Sequence, residues 1–83
     1  MFFVREKGKE ERQKLIGFLE NNGYELDQYE PRSKNEICDD FLPIVINPLE
    51  KKYRMMGNVT CAAAAVSSGK MITAQEFYDL FTP

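Results

Sequence analysis

The chain has 83 residues and a mass of 9.6 kDa, room for one domain over residues 1–83 whose core hides only about 60–65% of the unfolded surface. Its 43% hydrophobic and 29% charged residues fit a globular chain and not a disordered one. With no histidine and a net charge of −2, it lacks the commonest general base and metal ligand and has no global pull towards nucleic-acid phosphates.

Met1 to Val4 is apolar and reads as an edge strand. Leu15, Ile16, Phe18 and Leu19 recur at helical spacing and cover an arc of roughly 160° on a helical wheel. Asn21-Asn22-Gly23 follows, with Gly where helices prefer to end. The pattern predicts a helix over 9–22. Glu11 and Arg12 fall within the apolar arc, so its first half reads as solvated.

Tyr24 to Tyr29 predicts a short strand before Pro31, and Arg32 to Asp40 reads as a polar loop. Phe41-Leu42-Pro43-Ile44-Val45-Ile46 is the most hydrophobic run and predicts a strand covered on both faces, with Pro43 turned outward or at a bulge. Asn47-Pro48-Leu49-Glu50 is a turn. Residues 52–56 alternate and return as the second arm of a hairpin.

Thr60 is placed to cap a short helix through Cys61, the alanines at 62–65 and Val66, stopped by Gly69. Lys70-Met71-Ile72 is an extended link. Thr73-Ala74-Gln75-Glu76 is a capping box, with Ile72 and Phe77 at the two staple positions. Phe77, Tyr78, Leu80 and Phe81 then repeat the spacing of the first helix. The fold expected is α+β: a small two-layer sandwich with an antiparallel, hairpin-based sheet of three or four strands, an N-terminal helix and two short C-terminal helices.

Motifs for chemistry fail one by one. Ser67-Ser68-Gly69-Lys70 has Ala64 where a phosphate loop needs Gly and Met71 where it needs Ser or Thr. Ser67 and Lys70 have the spacing of a Ser-x-x-Lys nucleophile, but at a helix end, where Ser, Gly and Lys are ordinary terminal residues. Glu36, Cys38, Asp39 and Asp40 lack calcium-loop spacing and do not converge on an extended chain. No catalytic residue, metal ligand or cofactor follows.

Cys38 and Cys61 form no Cys-x-x-Cys pair, and neither a leader peptide nor a membrane-spanning run is evident. A cytoplasmic chain with free thiols is expected, a Cys38–Cys61 disulfide staying open. The small side chains at 61–65 suit either packing on the chain's own sheet or a homo-oligomer interface.

The charge is uneven. Residues 5–14 carry five basic and three acidic groups, residues 20–40 two basic and seven acidic, and residues 50–54 three basic and one acidic. Tyr24, Tyr29, Tyr53 and Tyr78 with the acids around residues 25–30 suit a protein-binding surface, because tyrosine anchors bury area at little rotamer cost. Tyr24, Tyr29, Asp27, Glu30, Asp39 and Asp40 are its candidate contacts, and half-buried core edges are the alternative for most of the tyrosines. Lys51, Lys52, Arg54 and Lys70 are candidate phosphate contacts for an alternative, an oligomeric sponge for a nucleotide-type ligand. Weak nucleic-acid contact through the basic hairpin is a further alternative.

The leading helix that ends in Asn-Asn-Gly-Tyr, the hairpin and the closing Ile72-Thr73-Ala74-Gln75-Glu76-Phe77-Tyr78 segment resemble the layout of small uncharacterised phage- and prophage-encoded α+β proteins of Gram-positive bacteria. The resemblance implies a small inhibitor- or adaptor-type binding protein acting on a host or defence protein, and it assigns no residue a role. That the chain is not an enzyme is expected from its lack of histidine and of any catalytic motif.

Overall fold

The structure is a computed structural model that describes residues 1–57 and 71–81. In chain order it contains β1 (Phe2–Arg5), α1 (Lys9–Asn21), β2 (Glu25–Leu26), α2 (Lys34–Cys38), β3 (Ile44–Asn47), β4 (Lys52–Met55), β5 (Met71–Thr73) and α3 (Ala74–Asp79). The class is α+β, as expected. The sheet is larger than expected and mixed: five strands in the order β2-β4-β3-β1-β5. β3 and β4 form the antiparallel hairpin and β1 pairs antiparallel with β3, but β5 runs parallel to β1 and β2 parallel to β4. The helix expected at 61–66, its stop at Gly69, Cys61 and Lys70 lie outside the described residues.

β1 is therefore an interior strand and not an edge. Its register sets Phe2 and Val4 against Ile46 and Ile44, and Phe3 between Val45 and Met71. Apolar residues on both parities of a strand suit a place covered on both faces. One face carries the main core, where Val4, Ile44, Ile46, Tyr53 and Met55 meet Leu15, Ile16 and Leu19 of α1, Ile37 and Cys38 of α2, and Ala74 and Phe77 of α3. On the opposite parity, Val45 and Met56 form a smaller cluster with Phe3 and Met71 against it.

α1 closes as a Schellman turn. Gly23 adopts φ +85°, its N–H donates to the Glu20 carbonyl, and the Tyr24 N–H donates back to Leu19 at 2.9 Å. Leu19 and Tyr24 are both buried, supplying the apolar contact that accompanies this motif. The first half of α1 is not wholly solvated: Arg12 is completely buried.

The expected loop over 32–40 contains a helix. Ser33 caps α2, accepting the Glu36 N–H at 3.2 Å, while the Glu36 carboxylate accepts the Ser33 N–H. It is the same capping box that starts α3 at Thr73. Ahead of β3, Phe41 lies outside the strand and is exposed, while the Pro43 carbonyl accepts the Met56 N–H. Asn47 Oδ1 accepts the Leu49 and Glu50 amides across the hairpin turn, and Lys51 enters β4 from φ 54°.

Candidate binding surface

The tyrosines and acids of residues 24–40 do not form one surface. Tyr24 is 5% exposed and belongs to the core. The Glu30 side chain is also buried: one oxygen accepts the Met55 N–H at 3.1 Å, and the other pairs with Arg32, whose guanidinium reaches the Met55 carbonyl. These two residues are corrected from contact candidates to internal structure. Desolvation works against the charge of Glu30, but the Arg32 side chain, the Met55 and Arg32 amides and the Arg32 charge outweigh it and hold its pKa below the usual range.

The other acids close turns or pair on the surface. Asp27 Oδ1 accepts the Tyr29 N–H, Asp39 pairs with Lys9 at 3.1 Å between exposed side chains, and Asp40 Oδ1 accepts the Phe41 and Leu42 amides. Burial opposes ionisation of Asp40, yet those amides and the charges of Arg12 and Arg32 bring its pKa down. Of this set Tyr29 stands bare, 83% exposed, and Asp39 is exposed in its ion pair. Tyr53, by contrast, is fully buried, and its hydroxyl donates to Glu20 at 3.1 Å. Desolvation and that carboxylate push its pKa up.

The basic hairpin is also dispersed. Lys51 Nζ lies 3.4 Å from the Asn22 carbonyl, and Lys52 pairs with Glu25 at 3.0 Å. Lys52 and Arg54 share one parity of β4 and line a cavity of about 110 Å³ with Asn47 and Asp27. That space is far below the roughly 300 Å³ at which small-molecule pockets begin, and Asp27 would repel a phosphate there. Cys38 is free and buried; burial lifts its pKa, against the pull of Arg12, so its thiol stays protonated at neutral pH.

A different surface gathers aromatic area. Phe18 of α1 meets Tyr78 edge-to-face at 4.9 Å, Phe81 at 5.8 Å and Phe77 at 6.2 Å. Phe77 is fully buried, Phe18 and Tyr78 are half-buried, and Leu80 and Phe81 are exposed. The apolar repeat at 77–81 thus buries only its first half. An open groove of about 390 Å³, lined by Lys14, Gly17, Phe18, Asn21 and Tyr78, runs along α1 here.

Its floor is Gly17, where an added Cβ would meet nothing within 4 Å. Lys14 Nζ lies 6.0 Å from the centroid of the Tyr78 ring, within cation–π range. Burial raises the pKa of Tyr78, and the charges of Glu11 and Glu6 add to it, so its ring is neutral at physiological pH. Sequence reading missed this groove. The signal available was Gly17 itself, a glycine in mid-helix between apolar residues, which costs helix stability and often marks close approach.

Among the described residues no helix is long and apolar enough to cross a membrane. No family model matches the chain, and neither a curated protein nor a solved structure resembles it.

Proposed function

We propose that the chain is a small protein-binding protein that works by occupying a partner's surface, and that the partner docks in the groove between α1 and α3. The observation that carries this reading is the wall of Phe18 and Tyr78 standing open over Gly17, continuous with exposed Phe81 and Leu80. Clustered apolar side chains left facing water are the usual mark of an interaction site. Aromatic rings fixed by one another lose little freedom on binding, which makes them efficient anchors. The wider reading, a phage-encoded chain engaging a host protein, rests on the layout resemblance.

The test uses Gly17→Gln. The new side chain enters open space on a helix that tolerates it, so it fills the groove without unfolding the protein. Purified wild type and variant are compared for stoichiometric capture of a cellular protein, alongside Tyr29→Ala. Capture lost in Gly17→Gln and kept in Tyr29→Ala, with unchanged Tm in both, is the expected result. Equal capture by wild type and Gly17→Gln overturns the groove as the site. A homodimer that Gly17→Gln dissociates, seen by native mass spectrometry, overturns the separate partner in favour of a second copy.

A further inference from the structure

Resting on the groove as the docking site, we infer that its occupant is an α-helical segment of the partner carrying a bulky apolar side chain and, one turn away from it, a carboxylate. Lys14, Gly17, Phe18 and Asn21 stand at i, i+3, i+4 and i+7 on α1, so they form one column about 10 Å long. The groove is thus a trough parallel to a helix and as long as two turns. It admits one large anchor over Gly17, where the missing Cβ lets a second backbone come close.

The walls select the conformation of what binds. The lining is the middle of α1, whose backbone groups are bonded internally, together with the Tyr78 side chain, and among the described residues no strand residue lines the groove. Among the described residues, an extended segment laid there would find few side-chain groups, those of Lys14, Asn21 and Tyr78, for its own amides and carbonyls. Buried backbone groups without partners are costly. A helix satisfies its own backbone and offers a side-chain face alone.

Charge then sets the register. Lys14 is the cation of the lining among the described residues, held beside the Tyr78 ring. Asn21 at the other end is neutral. Glu10 and Glu11 follow Lys14 outward along α1, so a carboxylate fits opposite Lys14 and is repelled one turn further out. The anchor over Gly17 and the acid opposite Lys14 are therefore three or four residues apart on the partner.

The test is an NMR titration of the ¹⁵N-labelled full chain with end-blocked Ala/Gln helical peptides bearing one central Trp and a Glu four residues before it. Saturable shifts centred on the Gly17 and Phe18 amides are expected, absent in Gly17→Gln. Replacing the peptide Glu by Lys should weaken binding about 5-fold, the range of an exposed ion pair, and Lys14→Glu should reverse that preference. A peptide with Pro on both sides of Trp that shifts the same amides equally overturns the helical occupant while leaving the groove as the site. If the Glu and Lys peptides bind alike, the carboxylate is overturned. If no peptide shifts Gly17, the groove reading falls with the inference.

Discussion

The guanidinium of Arg12 donates from Nε to the Ile37 carbonyl at 2.7 Å, joining α1 to the last turn of α2 inside the core. Its Nη1 donates to the Glu6 carbonyl at 2.7 Å and its Nη2 to Met55 Sδ at 3.3 Å. One side chain therefore ties the β1–α1 connection, α2 and β4 together. Burial lowers its pKa, and the charge of Asp40 leads the groups that oppose this; an arginine stays ionised regardless. Removing it strands two inner carbonyls. Arg12→Ala should cost about 3–4 kcal/mol, and Arg12→Lys about 2 kcal/mol because an ammonium lacks the planar fork. Urea unfolding measures both, and an Arg12→Ala loss below 1 kcal/mol would show that the carbonyls find other donors.

Glu30 gives the fold an acid-sensitive clasp. β2 is only two residues long and its pairing with β4 ends at Asp27, whose N–H donates to the Tyr53 carbonyl. Beyond that point Glu30 and Arg32 serve the Met55 N–H and C=O in place of a strand. The folded pKa of Glu30 is depressed, so its contribution is present above the unfolded value and is lost as pH falls through about 4.3 towards the lower folded value. Glu30→Gln should cost about 1.5–3 kcal/mol at neutral pH and flatten the fall in stability below pH 4.3. Asp40 and Glu20, also depressed, contribute to that fall. Wild-type and variant stability curves that stay parallel between pH 6 and pH 3 would contradict the assignment.

What local chemistry decides was legible in the chain: α1 with its Asn-Asn-Gly end, the hairpin around Asn47, and the Thr73 box with Phe77 behind it. Ser33-Lys34-Asn35-Glu36 carries the same box, but only one apolar pair, Ile37-Cys38, follows it, too short a pattern to mark a helix. Arg12 defeated hydropathy counting, since a guanidinium is buried by finding carbonyls that are distant in sequence. The two parallel pairings, β1 with β5 and β2 with β4, join segments with no local signal of each other. Of the anticipated contact surface Tyr29 and Asp39 stay exposed, whereas Tyr24 is the apolar partner of Leu19 in a helix cap and Glu30 completes an edge. The groove arises where α1 and α3 meet, which no window on either helix reveals.

Gly17 and Gly23 should respond oppositely to the same substitution. Gly17 sits in mid-helix with open space around it, so Gly17→Ala should stabilise by about 0.5–1 kcal/mol through helix propensity. Gly23 holds φ +85°, where a Cβ crowds the backbone, and Gly23→Ala should destabilise by about 1–2 kcal/mol. Thermal melts of the two variants compare them directly. If Gly17→Ala lowers Tm, the groove floor is filled in solution.

Phe77 and Phe18 divide the aromatic cluster into a core part and a surface part. Phe77 is fully buried, with Phe81 at 4.9 Å and Phe2 at 5.6 Å, so it locks α3 onto β1. Phe77→Ala should cost about 3–5 kcal/mol, a large share of what a domain of this size holds in total. Phe18 is half-buried at the groove wall, so Phe18→Ala should cost roughly half as much and weaken partner binding while the protein remains folded. Chemical denaturation with matched binding measurements separates the two roles. A Phe77→Ala variant that unfolds cooperatively with less than 1 kcal/mol lost would mean that α3 is not docked, and the groove would then lack its Tyr78 wall.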